Sequence, residues 1–152
     1  MNRIVKTFKR AFQKMLLKNW DTIYVFVDIH ETSMKPTWTV EMSTEFYPKS
    51  LETLQLMSNH KNIKLILWSS SLPETNLKYK ELFASHNIHF SAINSNPFEK
   101  STVYADFDTK PYISVGLDDK FGFSFEEDWP ALYDYFLFQL LEDYNPIIVD
   151  IF

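Results

Sequence analysis

The chain reads as an α/β domain: a mostly parallel sheet with helices on both faces and no sizeable cap. Three observations predict it. Short apolar, β-rich runs alternate with segments of helical periodicity. The spacers between runs are long enough for right-handed crossovers between parallel strands. Three of the four runs end in polar residues, Asp28, Ser69 and the pair Asp118-Asp119, which is where ligands bind in such sheets.

The first 20 residues place Ile4, Val5, Phe8, Phe12, Met15 and Leu16 at helical spacing with basic residues on other faces, an amphipathic helix. Ile23 to Val27 form a short strand of the kind buried on both faces. Residues 29 to 47 have no sustained period and predict a loop or small flap. Pro48 opens a helix running to about His60, with Leu51, Leu54, Leu56 and Met57 on its inner face and proline where its missing N–H costs little. A strand follows over 63–68, then a helix over 73–85 with Leu77, Leu82 and Phe83 inward. Further strands are expected over 88–93 and 112–117, with residues 94–109 as a loop between them. An apolar helix over 130–144 comes next, and the tail NPIIVDIF adds a candidate edge strand.

A length of 152 residues suits one domain, divided here into the basic helix, 1–20, and the α/β body, 21–152. Hydrophobic residues at 45% supply a core, and 23% charged residues argue against disorder. No apolar run approaches the roughly 20 residues that span a bilayer. The chain has no cysteine, which excludes disulfides, thiol nucleophiles and thiolate metal sites; a cytoplasmic location is the simplest expectation. The first 20 residues hold six basic residues and no acid, so the other 132 carry −11 of a net −5. An acidic body argues against a general nucleic-acid surface and leaves the basic helix as the one segment suited to such a contact. That helix could dock on its own domain, on a partner, or on a membrane surface or nucleic acid. The two glycines, Gly116 and Gly122, cannot form a phosphate-cradling glycine-rich loop, and no Gly-x-Ser-x-Gly elbow occurs. His60, His86 and His89 lack metal-ligand spacing, so surface roles are expected for them.

The strand ends carry the chemistry. A carboxylate at position 28 can act as a nucleophile and as an oxygen ligand for a hard cation. Asp118 and Asp119 repel each other unless a cation or base sits nearby. His30 can exchange a proton near neutral pH. Thr32 either orients the loop around Asp28 or caps a turn, and Trp68 reads as core rather than as a substrate platform.

In their order, VFVDIHETS, LILWSSS, Lys100 or Lys110, and ISVGLDDK resemble the haloacid dehalogenase-like phosphohydrolases over roughly residues 23 to 143. The resemblance implies a Rossmann-like core and a magnesium ion held by Asp28, the backbone carbonyl of His30, Asp119 and, less directly, Asp118. It makes Asp28 the nucleophile and Ser69 the phosphate-holding hydroxyl, with the Ser70 N–H beside it. The lysine is Lys100, after the third strand, or Lys110, before the fourth. The chain departs from the family at His30, where its phosphatases carry a second Asp, so His30 becomes the acid/base. The implied activity is phosphomonoester hydrolysis through an aspartyl phosphate. The substrate is a phosphorylated molecule, and a bulky one suits an uncapped site. A phosphate- or metal-binding module with impaired turnover, acting through partner contacts, is the alternative; phosphoryl transfer or carbon–halogen cleavage is a third.

Overall fold

A computed structural model of the chain describes residues 1–142. Its four helices are α1 (Arg3–Leu17), α2 (Ser50–Ser58), α3 (Pro73–Ser85) and α4 (Asp128–Glu142), and its four strands are β1 (Ile23–Val27), β2 (Ile63–Leu67), β3 (Phe90–Ile93) and β4 (Val115–Leu117). The strands form one all-parallel sheet in the order β3-β2-β1-β4. The chain is thus α/β, as its alternating pattern predicts, with no large cap among the described residues. The expected tail strand and the last two residues of the expected fourth helix lie outside them.

Register is what levels the site. Val27 of β1 pairs with both Leu67 and Leu117, and Leu67 pairs with Ile93. The ladder runs one residue further, with Asp28 N–H donating to the Leu117 carbonyl at 2.9 Å, Trp68 N–H to Val27 at 2.9 Å, and Asn94 N–H to Leu67 at 2.7 Å. Residues 28, 68, 94 and 118 therefore leave the sheet at one edge.

The sheet is covered on both faces, but by different material. Alternate residues of β1 point to opposite sides. Val25 and Val27 join the main core with Phe8 and Phe12 of α1, Leu54 and Met57 of α2, Tyr79 and Phe83 of α3, and Trp129 and Phe136 of α4. Tyr24 and Phe26 face a second, smaller cluster with Ile66, against which Trp68, Ala92 and Tyr112 pack. Helices thus supply one cover, and the coil between β3 and β4 supplies the other, where the sequence predicts helices on both faces. Handedness explains the division: β1 to β2 to β3 steps outward in one direction, whereas β3 to β4 returns across the sheet, so its right-handed crossover lies on the opposite face. The reversal leaves a topological switch point between β1 and β4, where a crevice opens.

Local chemistry sets the helix ends. Asn2 Oδ1 accepts from the N–H groups of Ile4 and Val5 at 2.9 and 3.1 Å, capping α1. Pro73 occupies the first turn of α3. Pro48 instead precedes α2, because Lys49 takes a left-handed conformation (φ 69°) and the helix begins at Ser50. In α3 the inward residues are Asn76, Tyr79 and Phe83, while Leu77 is exposed. Polar partners on neighbouring loops draw Asn76 and Tyr79 inward. His60, expected at the surface, is part-buried, stacked on the Phe12 ring at 5.2 Å and bonded to Gln139 at 3.2 Å.

The α1 helix belongs to the same core as the body, since Val5, Phe8, Phe12 and Met15 are buried in it. We expect Phe12→Ala to destabilise the whole chain by about 3–5 kcal/mol in urea unfolding, in a single transition. A loss under about 1 kcal/mol, or a separate early transition for residues 1–20, would show α1 to be a detachable arm.

Candidate functional site

Three carboxylates meet at the switch point. Asp28 follows β1, Asp118 and Asp119 follow β4, and one oxygen from each lies within 4.8 Å of the others. Asp118 is buried. Its Oδ1 accepts from Lys120 N–H at 2.9 Å, starting a 3-10 turn over Asp119–Phe121 that Gly122 closes at φ 95°, a conformation that glycine adopts without strain.

The loop after β1 wraps back on Asp28. Thr32 donates its hydroxyl to Asp28 Oδ2 at 2.9 Å and accepts from Asp119 N–H at 2.9 Å, so one side chain ties the two acidic strand ends together. Both roles open to Thr32 are visible: it holds the loop around Asp28 and accepts the first N–H of the 3-10 turn. Ser33 Oγ donates to the Asp28 carbonyl at 2.7 Å, Ser50 Oγ to the Ser33 carbonyl at 2.8 Å, and Trp129 Nε1 to the Thr32 carbonyl at 2.7 Å. The loop is thereby fastened to α2 and α4.

The end of β2 is held in the same manner. Asn94 accepts from Ser69 N–H at 2.8 Å and donates to the Ser69 carbonyl at 2.7 Å, while Asn76 Nδ2 reaches the carbonyls of Ser69 and Ser71 at 3.3 and 3.1 Å. Ser69 Oγ accepts from Ser71 N–H at 3.1 Å and keeps its own hydroxyl proton available to a ligand.

These residues line a cavity of about 790 Å³ that includes Asp28, His30, Ser69, Ser70, Asn94, Asp118, Asp119 and Lys120, a size in the range of small-molecule sites. Its outer wall is the predicted flap, residues 36–42. There Trp38 is 80% exposed and left-handed (φ 58°), a strained state for a bulky residue. Trp68 also lines the cavity; it packs on Phe26 as well, at 5.4 Å, so it is both core and wall.

Neither expected lysine lies here. The coil after β3 runs back toward the amino ends of the strands: Glu99 accepts from the Tyr24 hydroxyl at 3.0 Å, and Phe98 stacks on Tyr24 and lies under the Lys64 ammonium. Tyr24 precedes Asp28 by four residues, about 13 Å along a strand, and Lys100 is exposed on that return path. Lys110, also exposed, is not among the cavity-lining residues. The lysine that lines the cavity is Lys120, directly after Asp119.

The charges respond to this crowding. Burial, reinforced by the neighbouring Asp118 and Asp119, pushes the Asp28 carboxyl up to about 7, against the hydrogen bond from Thr32. Burial also lowers the His30 pKa. The His30 ring meets Tyr79 edge-on, with Nε2 at 3.0 Å from the phenol oxygen, and that oxygen accepts from Ser43 N–H at 2.9 Å. An all-oxygen, triply acidic donor set is of the kind that could hold a hard divalent cation, whose charge would offset both the burial of the Asp28 carboxylate and the repulsion from its neighbours.

No family model and no curated protein matches the chain. A solved structure of a conserved protein from Bacteroides thetaiotaomicron is similar to it, with a TM-score of 0.56 and 22% identity, over 81% of this chain and 93% of that one. At that identity the likeness supports the fold. No helix among the described residues is long and apolar enough to cross a membrane.

Several site residues escaped the sequence reading. Asn94 had a signal, since it is the polar residue ending the one strand not assigned a polar end. Tyr79 and Trp129 had none, because a buried aromatic at helical spacing reads as core.

The raised Asp28 pKa fixes a pH dependence. An unfolded Asp titrates near 4, so the stability gained by protonating Asp28 in the fold is present below about pH 4 and is lost as pH rises through about 7. Asp28→Asn mimics the protonated state. Without divalent cations it should melt about 2–4 °C above the parent near pH 8, after discounting for solvent screening, and level with it near pH 4. Equal melting temperatures at both pH values would contradict the crowding.

Proposed function

We propose that the chain is a magnesium-dependent phosphomonoester hydrolase of the haloacid dehalogenase-like type, acting through a phosphoaspartate on Asp28. The observation that carries this reading is the approach of Asp28, Asp118 and Asp119 to within 4.8 Å at the switch-point edge, beside the Ser69 hydroxyl in one cavity.

Asp28, Asp119 and Asp118 are the residues that would hold the ion, and a bound magnesium supplies positive charge that offsets the carboxylates and the phosphate oxygens. In the first step an Asp28 carboxylate oxygen attacks phosphorus, the ester P–O bond breaks, and the leaving oxygen takes a proton from His30. In the second, His30 removes a proton from water, the water oxygen attacks the same phosphorus, and inorganic phosphate leaves with the Asp28 carboxylate restored. Ser69 and the Ser70 N–H hold phosphate oxygens meanwhile. Lys120 is the cation we assign to the phosphate, in place of Lys100 or Lys110, because it lines the cavity.

A second reading, a phosphate- or metal-binding module with little turnover, draws on His30. Its Nε2 lies against Tyr79 and burial lowers its pKa, so less of it carries the proton that a leaving group would take. Leaving groups that depart without a proton should therefore be favoured.

Purified protein with magnesium and an aryl phosphate tests the proposal. We expect turnover that a chelator removes and that Asp28→Asn reduces by about 10³-fold or more, with His30→Ala losing about 10²-fold. Parent and Asp28→Asn rates that coincide across about pH 5 to 9, alongside retained magnesium binding, would replace the hydrolase with the binding module.

The lysine assignment has its own comparison. Lys120→Met should lower kcat/KM about 10-fold or more, the loss of a charge-assisted contact, while Lys100→Met and Lys110→Met stay within about twofold of the parent. A large loss at Lys100 with none at Lys120 would reverse the assignment.

A further inference from the structure

The surface of α1 turned away from the core carries a second feature, independent of the acidic site. Its buried residues, Val5, Phe8, Phe12 and Met15, lie on one side. At 3.6 residues per turn, Arg3, Lys6, Arg10 and Lys14 fall together on the opposite side, with Lys9 and Lys18 flanking them. Arg3, Lys6, Arg10, Lys14 and Lys18 are exposed. The ion pairs among the described residues are Lys35–Glu45 and Lys49–Glu52, so none of these six charges has a salt bridge to another described residue. Leu17 lies on the line of the stripe, seven residues beyond Arg10, and is 83% exposed. Trp20, 44% exposed, follows with the Lys14 ammonium 5.9 Å from its ring.

We infer that this stripe is a docking surface for an anionic lipid bilayer, on which α1 lies in the plane with Leu17 and Trp20 entering the headgroup layer. Charge complementarity selects a polyanion. The apolar end selects the lipid, because phosphodiesters alone give an exposed leucine nothing to bury against, whereas an interfacial region takes up both leucine and tryptophan. A straight helix of about 22 Å matches a flat surface. The acidic body stands off from the contact by the thickness of α1, about 10–12 Å, and the electrolyte around the molecule, with a Debye length of ~8 Å at physiological salt, weakens the repulsion of its solvent-exposed acids at that distance.

The full chain is sedimented with phosphatidylcholine vesicles containing about 30 mol % phosphatidylserine, with pure phosphatidylcholine vesicles, and in parallel titrated against a short DNA duplex. Each basic residue at such a surface strengthens partitioning about fivefold, so the exposed quadruple variant Arg3→Gln, Lys6→Gln, Arg10→Gln, Lys14→Gln should lower partitioning to the anionic vesicles by about 10²-fold or more. Leu17→Ser alone should lower it about tenfold. Should the quadruple variant misfold, release of the parent from the vesicles at about 0.5 M NaCl supplies the same reading. The inference is overturned if the parent ignores phosphatidylserine, if the charge variant partitions like the parent, or if the duplex binds more tightly than the vesicles and Leu17→Ser leaves both unchanged, which would identify a nucleic-acid surface.

Discussion

Mutual repulsion among three carboxylates is the constraint on which the site depends. Oxygens of Asp28, Asp118 and Asp119 lie within 4.8 Å of one another, an arrangement that isolated side chains would relieve by turning apart. The parallel register of β1 and β4 prevents it, by delivering residues 28 and 118 to the same level. Thr32 adds a polar tie between them, giving its proton to Asp28 and taking one from the Asp119 N–H. Burial first, and the neighbouring carboxylates after it, then raise the Asp28 pKa. Such tension is tolerated where surrounding structure over-determines a geometry, and here that structure is the β-ladder together with loop contacts reaching α2 and α4.

The same logic accounts for how many ordinary residues serve the cavity without touching its centre. Asn94 and Asn76 spend their amides on the backbone of the loop after β2, satisfying peptide groups that would otherwise be left without partners at a strand end. Trp129 spends its indole N–H on the Thr32 carbonyl. Each bond is modest alone, about 1 kcal/mol net. Their collective effect is to hold the hydroxyl and carboxyl groups of three strand ends in fixed relation, the pre-organisation that a reacting or binding centre needs.

Legibility in the sequence followed from periodicity. Asp28, Ser69 and Asp118-Asp119 stand out because each ends a short apolar run, and runs of that length rich in β-branched and aromatic residues favour strands over helices. Lys100 and Lys110 were misplaced for the opposite reason. The segment holding them has no period, and its path follows long-range contacts such as Tyr24 with Phe98 and Glu99 and Asn96 with Tyr112, which no local pattern announces. Lys120 directly follows the Asp118-Asp119 pair, and nothing in the local pattern distinguishes it from a surface lysine. The placement of the helices depends on strand order, which is a tertiary property. Once the order β3-β2-β1-β4 is known, the handedness of crossovers places α2 and α3 on one face and the returning coil on the other.

That one-sided packing links the two surfaces of the molecule. Because α1 shares the helical face with α4, its N-terminus comes close to the start of that helix, where Asn2 Nδ2 donates to Asp128 Oδ1 at 2.8 Å and Asp128 Oδ2 accepts from Ser124 N–H at 2.8 Å. Ser124 lies five residues beyond Asp119, on the segment that leaves the acidic cluster. Asn2 also caps α1 itself. A single asparagine therefore joins the basic helix to the loop that presents Asp118 and Asp119, and the continuous core of Phe8, Phe136 and Trp129 backs that junction. Of the 15 Lys and Arg, six lie in the first 20 residues and nine among the 20 acids of the body, with Lys120 at the cavity itself; gathering six on one segment leaves the body at −11, a negative potential that attracts a cation to the carboxylate cluster. Docking α1 on the helical face thus both gathers positive charge on one segment and braces the loop that presents Asp118 and Asp119.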